Sequence, residues 1–308
     1  MKILNYGSLN IDYVYNVDHI LIGGETQSAT GRNIYPGGKG LNQSVAFARA
    51  GADVWHAGAI GRTDGIILLR ALTENNIHLD YLRELTDYPS GHTFIQVDKQ
   101  GQNCILVYGG ANRQQTRQDI DLTFDSFSAG DILVLQNEVN EISYMMDRAH
   151  AKGMKIVLNP SPMDDAIFRL PLDYVDFFMV NELEAAQLVL RRADIDKKLD
   201  IEDTKLLSDL MKAYPKAHIV LTVGSRGAYY GHAGQVEHHE IFDVEVVDTT
   251  AAGDTFTGYF IHEFAETGDA YHSLRLASAA STIAVSRPGA TSSIPTRAEV
   301  DRFLAKRS

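Results

Sequence analysis

Residues 247–258 read VDTTAAGDTFTG, and this stretch combines a tight turn with the start of a helix. The small residues Ala251, Ala252 and Gly253 let the backbone turn sharply and expose its amide groups. Apolar residues at three-to-four spacing follow Asp254, which predicts a helix that begins here. Because the N-terminus of a helix attracts anions, the segment predicts an anion site with the Asp254 carboxylate at its rim. The alternative is that Asp254 is only an N-cap and Gly253 only a turn residue.

Short apolar runs alternate with helical patterns on both sides of this stretch. Such alternation is typical of a mostly parallel sheet covered by helices on both faces. Ligands bind beyond the carboxyl ends of the strands in sheets of this kind. The predicted strands are 3–7, 54–59, 132–136, 156–159, 177–180 and 219–223, and the predicted helices are 40–50, 66–75, 143–152, 182–190, 205–213, 255–266 and 270–286.

Two segments, 12–35 and 92–108, interrupt this alternation and look like β-rich insertions. Hairpins that protrude from a parallel core are candidates for a lid, which keeps a reaction away from water. We therefore expect one catalytic domain over residues 1–308, with a β-sheet lid formed by about 11–35 and 92–110.

The composition restricts the class of protein. The chain has 308 residues, 44% hydrophobic and 22% charged, which is ordinary for a globular protein. Its net charge of −12 argues against a nucleic-acid partner, because an acidic surface repels phosphates. The first residues lack the apolar run of a signal peptide, and we expect no membrane span and a cytoplasmic location. The single cysteine, Cys104, excludes an intrachain disulfide and is expected to be a small buried hydrophobe.

The segment Pro36–Ser44, with the sequence PGGKGLNQS, is rich in glycine and allows a ligand to approach the backbone closely. It is not a Walker A loop, because Gly40 follows the lysine where Ser or Thr is needed. It also fails the G-x-G-x-x-G pattern, because Gln43 occupies the last position. Asn42 lies one turn into the helix that follows. The alternative is a loop that only caps this helix.

Two further segments follow predicted strands. Asn181 and Glu184 lie three residues apart at the start of a helix and share one of its faces. They could contact a ligand or only complement the helix dipole. The segment Thr222–Gly227, with the sequence TVGSRG, could contact a nucleotide or only reverse the chain.

Taken in order, these motifs resemble the ribokinase family of sugar kinases, the PfkB-type superfamily. The resemblance covers nearly the whole chain and implies a Rossmann-like three-layer α/β/α core with a small β-sheet lid, which often also clasps a dimer. The residues that carry it are Gly7-Ser8-Leu9-Asn10-Ile11-Asp12, Gly37-Gly38-Lys39-Gly40-x-Asn42, Gly51, Gly61, Asn159-Pro160, Asn181-x-x-Glu184, Gly224-Ser225-Arg226-Gly227 and Asp248-Thr249-x-Ala251-Ala252-Gly253-Asp254-Thr255.

The resemblance also implies roles for individual positions. Asp254 would be the catalytic base, with Ala251, Ala252 and Gly253 as the anion hole. The sugar would be held by Asn10, Asp12, Gly38, Lys39, Asn42 and Glu138, together with Asp254. The nucleotide and Mg²⁺ would be held by Asn181, Glu184, Thr222, Gly224, Ser225, Gly227 and Ser278. A K⁺ ion would bind the side chains of Asp248 and Ser293 and the carbonyls of Thr250, Ala284, Arg287 and Gly289.

The expected activity is transfer of the ATP γ-phosphate to the primary hydroxyl of a pentose, with D-ribose as the favoured acceptor. The expected cofactors are ATP, Mg²⁺ and K⁺, and the expected assembly is a homodimer formed through the lid.

A nucleoside kinase, or a kinase for another ketose or hexose, remains an alternative within the same fold. A catalytically silent binding protein and an NAD-dependent oxidoreductase are alternatives from other classes. The oxidoreductase would need a glycine fingerprint that Gly7-Ser8-Leu9 does not provide. Tyr259 departs from the family pattern, which usually has a small residue there.

Overall fold

The computed structural model describes residues 1–191 and 202–307. The strands are β1 (Ile3–Tyr6), β2 (Asn10–Asn16), β3 (Gly31–Gly37), β4 (Val54–Gly61), β5 (His78–Leu85), β6 (Gly91–Val97), β7 (Asn103–Tyr108), β8 (Ile132–Gln136), β9 (Lys155–Asn159), β10 (Phe177–Asn181), β11 (His218–Thr222), β12 (Ala228–His232) and β13 (Gln235–His239). The helices are α1 (Lys39–Ala50), α2 (Ile66–Thr73), α3 (Arg117–Phe124), α4 (Ile142–Lys152), α5 (Glu182–Leu190), α6 (Asp203–Ala213), α7 (Ala252–Thr267), α8 (Ala270–Val285) and α9 (Arg297–Ala305).

The main sheet has the strand order β13-β12-β11-β10-β9-β8-β1-β4-β5. The strands from β11 to β5 are parallel, and β12 and β13 add an antiparallel edge. Successive residues of a strand point to opposite faces, so Ile3 and Leu4 of β1 enter different hydrophobic clusters. Helices α1, α2, α7, α8 and α9 cover one face, and α3 to α6 cover the other. The prediction of a three-layer α/β/α core is therefore confirmed.

A second sheet of four strands has the order β3-β2-β6-β7. Its strands lie in the two segments that the sequence marks as β-rich. β2 is antiparallel to β3 and parallel to β6, so residues far apart in sequence become neighbours; Asp12 pairs with both Tyr35 and Thr93. This sheet carries part of the predicted sugar site.

The edge strand β7 corrects one expectation. Cys104 is exposed, not buried, as are the other five residues of this strand. The apolar run from Cys104 to Tyr108 resembles a buried strand in sequence, but in the described part of the chain it pairs on one side only, with β6. The helices described for residues 1–191 and 202–307 include none long and apolar enough to cross a membrane.

Candidate active site

A cleft lies beyond the carboxyl ends of three neighbouring parallel strands. Asn159, Asn181 and Thr222 are the last residues of β9, β10 and β11, and each lines this cleft. Its position agrees with the rule for ligand sites in parallel sheets. Its other lining residues are Lys39, Met179, Val180, Glu184, Thr249, Ala251, Ala252, Gly253, Asp254 and Thr257.

The start of α7 forms one wall of the cleft. The N-cap is Ala251, in the left-handed region at φ 60°, and Asp254 is the third residue of the helix. Asp254 is therefore not an N-cap. The amide of Ala252 donates to the Thr249 carbonyl at 3.2 Å, whereas a Cβ added at Gly253 would meet no atom within 4 Å. This open space at a helix N-terminus fits an anionic phosphate.

Two amides from α1 hold the Asp254 carboxylate. Asn42 Nδ2 donates to Asp254 Oδ2 at 3.0 Å, and Gln43 Nε2 donates to Asp254 Oδ1 at 2.9 Å. Asp254 is 8% exposed, and among the described residues the buried Oδ1 of Asn42 has no hydrogen-bond partner. The Asn42 carbonyl oxygen is therefore available to a ligand hydroxyl.

Lys39, the first residue of α1, supplies positive charge to the cleft. Burial alone would lower the pKa of its ammonium, but the carboxylates of Asp254, Glu138 and Glu184 outweigh burial and raise it. Lys39 is thus charged at neutral pH. It lies between the predicted sugar residues and the predicted nucleotide residues and can partly neutralise a transferring phosphoryl group.

The predicted sugar residues gather where the two sheets meet. Asn10 Oδ1 accepts a hydrogen bond from Asn112 Nδ2 at 2.8 Å, and Asp12 Oδ1 accepts one from Thr93 Oγ1 at 2.6 Å. Burial raises the pKa of Asp12 to about 6, although the Thr93 hydrogen bond opposes the rise. Glu138 completes the group.

Glu138 Oε2 accepts hydrogen bonds from the Lys39 amide at 3.2 Å and from Ser8 Oγ. It is therefore tied both to the start of α1 and to the turn that follows β1. The neighbouring Gly38 has φ +94°, and a Cβ there would lie 2.9 Å from the Asn10 amide nitrogen. Glycine is required at this position because the main chain passes so close.

Asn181 and Glu184 form a capping box at the start of α5. Asn181 Oδ1 accepts from the Glu184 amide at 2.9 Å, and Glu184 Oε2 accepts from the Asn181 amide at 3.0 Å. Both residues still line the cleft. Burial raises the pKa of Glu184, despite the opposing hydrogen bond from Asn181 and the charge of Lys39.

The turn after β11 directly follows Thr222, the last residue of that strand. Gly224 and Ser225 are exposed, and Gly227 has φ +94° and packs against the His239 carbonyl. Thr222 lines the cleft, but Ser278 is buried within α8 and does not. Of the seven predicted nucleotide residues, Asn181, Glu184 and Thr222 line the cleft, whereas Gly224, Ser225, Gly227 and Ser278 do not.

Asp248 joins the two segments predicted to hold a monovalent cation. Its Oδ1 accepts from the Thr250 amide at 2.9 Å and from the Thr250 hydroxyl at 2.6 Å, and its Oδ2 accepts from the Gly289 amide at 3.0 Å. Burial would raise the pKa of Asp248, but these hydrogen bonds outweigh burial and lower it.

Two of the other predicted cation ligands have hydrogen-bond partners of their own. Ser293 Oγ donates to the Ala290 carbonyl at 2.8 Å, and the Ala284 carbonyl accepts from the Arg287 amide at 3.1 Å. The set consists of carboxylate, hydroxyl and carbonyl oxygens, which suits a hard cation. In residues 1–191 and 202–307, no three His, Cys, Asp or Glu side chains form a metal-binding group.

Several site residues received no role from the sequence. Asn159 belongs to a recognised motif, and its Oδ1 is buried without a partner among the described residues. Gln43 was noted only because it breaks a glycine pattern, although it directly follows Asn42. Thr93 and Asn112, which hold Asp12 and Asn10, carry no local sequence signal, because strand pairing and a loop bring them there.

Comparison with known proteins agrees with this arrangement. The model of the pfkB family carbohydrate kinases matches residues 1–297. The chain is 33% identical over 307 residues to a ribokinase of Staphylococcus aureus, covering 98% of this chain and 99% of that protein. It is also 33% identical over 303 residues to a bifunctional ribokinase/ribose-5-phosphate isomerase A of Fructilactobacillus sanfranciscensis, of which it spans 55%. The structure of an Arabidopsis thaliana ribokinase complexed with ribose and ATP superposes with a TM-score of 0.83 at 26% identity, covering 98% of each chain.

The chain belongs to the pfkB family of carbohydrate kinases. It is therefore a phosphotransferase that acts on a sugar hydroxyl. The family, the fold and the enzyme class expected from the sequence are confirmed.

Proposed function

We propose that this protein transfers the γ-phosphate of ATP to the primary hydroxyl of D-ribose and so forms ribose 5-phosphate. The observation that carries this proposal is the position of Asp254. Its carboxylate is held at the start of α7, between the open space at Gly253 and the polar residues Asn42 and Lys39. The ribokinase names of the relatives and the ribose complex of the Arabidopsis protein support ribose as the acceptor.

In this proposal Asp254 accepts the proton of the sugar hydroxyl. Phosphoryl transfer passes through a loose transition state, so most of the catalysis comes from positioning and charge neutralisation. The proton of a primary alcohol needs to leave only late, as the new P–O bond forms. Asp254 first orients the hydroxyl through a hydrogen bond and then takes this proton. Lys39 and the backbone at Gly253 stabilise the charge on the phosphoryl oxygens.

The residues of the cleft fit the expected cations. Mg²⁺ bound to the ATP phosphates would neutralise their charge, and Asn181 and Glu184 would position it through water. Asn159 Oδ1, which has no hydrogen-bond partner among the described residues, would accept a hydrogen bond from such a water. The oxygens around Asp248 would hold K⁺ beside the phosphate site, where its positive field favours an anion.

The four-stranded sheet is proposed as a lid and a dimer contact. Leu106, Val107 and Tyr108 of β7 are 68%, 55% and 52% exposed. Natural edge strands rarely present such an apolar row to water unless a partner covers it. We infer a homodimer in which a second copy of this sheet covers β7. A cytoplasmic location, where ATP and reduced thiols are available, is part of the same proposal.

A nucleoside kinase would need apolar side chains that frame a base above the sugar. Tyr13 and Phe94 stack with ring centres 5.5 Å apart. However, Tyr13 follows Asp12 along β2, and Phe94 follows Thr93 along β6, so the ring pair points to the opposite face of the sheet. This geometry favours a bare sugar over a nucleoside.

The test is an ADP-release assay with ATP and Mg²⁺, in which D-ribose, deoxyribose, fructose and adenosine are compared with and without K⁺. We expect turnover on ribose that K⁺ stimulates. Turnover on adenosine but not on ribose would overturn the proposed acceptor. Asp254→Asn should retain ribose binding in calorimetry and lose roughly 10²–10⁴-fold in kcat. If the kcat of this variant stays near that of the wild type, Asp254 is not the base.

A further inference from the structure

A chain of buried side-chain amides leads from Asp254 into the core. Gln43 Nε2 donates to Asp254 Oδ1 at 2.9 Å, and Gln43 Oε1 accepts from Gln136 Nε2 at 2.6 Å. Gln136 Nε2 also donates to Asn5 Oδ1 at 3.0 Å. Gln43, Gln136 and Asn5 are each 0% exposed. Three buried amides thus connect the proposed base to β1.

A backbone carbonyl sets the direction of these hydrogen bonds. Asn5 Nδ2 donates to the Gly40 carbonyl oxygen at 2.7 Å, and a carbonyl can only accept. Asn5 therefore turns its Oδ1 towards Gln136, which has to donate. Gln136 donates in turn to Gln43, whose own NH₂ group then faces Asp254. A flipped Gln43 amide would place two acceptors together at Asp254 and two donors together at Gln136.

The far end of the network reaches Ser44 and His56. Asn5 Nδ2 donates to Ser44 Oγ at 2.8 Å, and Ser44 Oγ lies 2.8 Å from His56 Nδ1. Burial lowers the pKa of His56 to about 4, so its ring is neutral at pH 7 and Nδ1 can accept the Ser44 hydroxyl hydrogen. The Gly40 carbonyl therefore sets the direction of the three amides, and Ser44 joins them to His56.

We propose that Gln43 is a positioning residue that orients the Asp254 carboxylate for phosphoryl transfer, with its amide direction imposed by Asn5 and Gln136. This inference rests on the proposed role of Asp254 as the base. Gln43 is fully buried and lies behind Asp254, so it acts through the carboxylate and does not touch the substrate. With Oδ1 held by Gln43 and Oδ2 by Asn42, the plane of the carboxylate is fixed.

One variant, with a matched control, tests the hydrogen bond between Gln43 and Asp254. Gln43→Met keeps the length of the side chain and removes the donor. We expect its kcat to fall roughly 10- to 100-fold, because a misplaced catalytic group loses that much, while the ribose Kd from calorimetry stays unchanged. Thr123→Val is the matched control, because it removes a buried hydroxyl on α3 that donates to the Asp119 carbonyl, away from the cleft. Its melting temperature should fall and its kcat should not.

Gln43→Glu adds a readout that a merely structural role would not move. The protonated acid can donate to Asp254 as Gln43 does, but the ionised form repels it. The kcat of this variant relative to the wild type should therefore fall as the pH rises. The other charged groups acting on Asp254, Lys39 from α1 and Glu184 from α5, are the same in both proteins. A ratio that does not depend on pH, or full kcat in Gln43→Met, would overturn the inference.

Stability gives a test that needs no turnover. The carboxyl introduced by Gln43→Glu is buried beside Asp254, so its folded pKa is raised and its contribution to stability is lost as the pH rises. The melting temperature of Gln43→Glu should drop with pH more than that of the wild type. Adding Asp254→Asn should make this extra drop smaller, because burial still raises the pKa of the introduced carboxyl but the repulsion by Asp254 is gone. If the double variant keeps the full drop, Gln43 and Asp254 are not coupled and the inference fails. If instead the wild type phosphorylates no sugar, the proposed function fails. The melting temperatures then still show whether Gln43 and Asp254 are coupled.

Discussion

Replacing Asp12 by asparagine is expected to raise the melting temperature of the sugar-free protein at pH 8. Burial raises the pKa of Asp12 from 3.8 to about 6, the Thr93 hydrogen bond partly offsets this, and the charge of Glu138 adds to it. Because the folded pKa lies above the unfolded one, the contribution of Asp12 to stability is complete below about pH 4 and is lost as the pH rises through about 6. Ionised Asp12 therefore destabilises the sugar-free fold at pH 8.

The size of the effect follows from the shift. One pKa unit corresponds to about 1.4 kcal/mol, so the shift of about two units amounts to about 2–3 kcal/mol in the free energy of unfolding. For a chain of this length that is about 3–5 °C in melting temperature. An asparagine keeps the oxygen that accepts from Thr93 Oγ1, so this hydrogen bond survives the substitution.

Thermal unfolding followed by circular dichroism at several pH values from 4 to 8 measures the difference in melting temperature between Asp12→Asn and the wild type. The difference should be near zero at pH 4 and largest at pH 8. Asp18→Asn is the control, because Asp18 is an exposed carboxylate at the end of the same sheet and pairs with Lys99. The melting temperature of Asp18→Asn should not rise above that of the wild type as the pH increases. A constant difference, or a loss of stability at pH 8, would refute the reasoning. Ribose should stabilise the wild type more than Asp12→Asn, in keeping with the proposed sugar contact.

Three further variants test other parts of the molecule. Tyr259→Phe removes the hydroxyl that donates to the Pro295 carbonyl at 2.8 Å, and urea unfolding should show a loss of about 1–2 kcal/mol; no loss would mean that this bond contributes nothing. Gly38→Ala places a side chain at φ +94°, so we expect a loss of about 1–3 kcal/mol in the same assay and a lower kcat/KM for ribose. An unchanged kcat/KM would separate this glycine from the sugar site. Leu106→Arg puts a charge on the most exposed residue of the proposed dimer contact, and light scattering should show a monomer where the wild type is a dimer. A dimer that persists would place the contact elsewhere.

The sequence predicts the parallel core well because strands buried on both faces read as continuous apolar runs. All six predicted strands and all seven predicted helices are present within a few residues of their predicted bounds. The strands β5, β12 and β13 were not predicted. β5 is an edge strand of mostly half-buried residues that contains the consecutive charged residues Arg83 and Glu84. It therefore lacks the continuous apolar run by which the other parallel strands were predicted. Helices α3 and α9 were also missed, since each is short and buries few residues.

In the candidate site, too, short sequence segments were predictable and contacts between distant segments were not. The role of Asp254 as the base stays a prediction, but its position at the start of a helix was predictable because the turn and the carboxylate lie in one short segment. The support behind Asp254 was not, because Gln43 and Gln136 are 93 positions apart and meet only when α1 packs against β8. The burial of Cys104 was predicted wrongly, since an apolar strand does not state whether another chain or water covers it.

The four-stranded sheet is built from two separate stretches of the chain that cross into it at Asn10, Gly37, Gly91 and Tyr108. β2 pairs with β3 from its own stretch and with β6 from the other, so the two stretches form one ladder. A Cβ at Gly37 would collide with the Asp12 carboxylate, and one at Gly91 would lie 2.3 Å from Asn10 Oδ1. Residues of the two stretches therefore have to fit one another at these contacts. For a chimaera that borrows this sheet from a relative with another sugar preference, we therefore expect a stable fold when 10–37 and 91–108 are exchanged together.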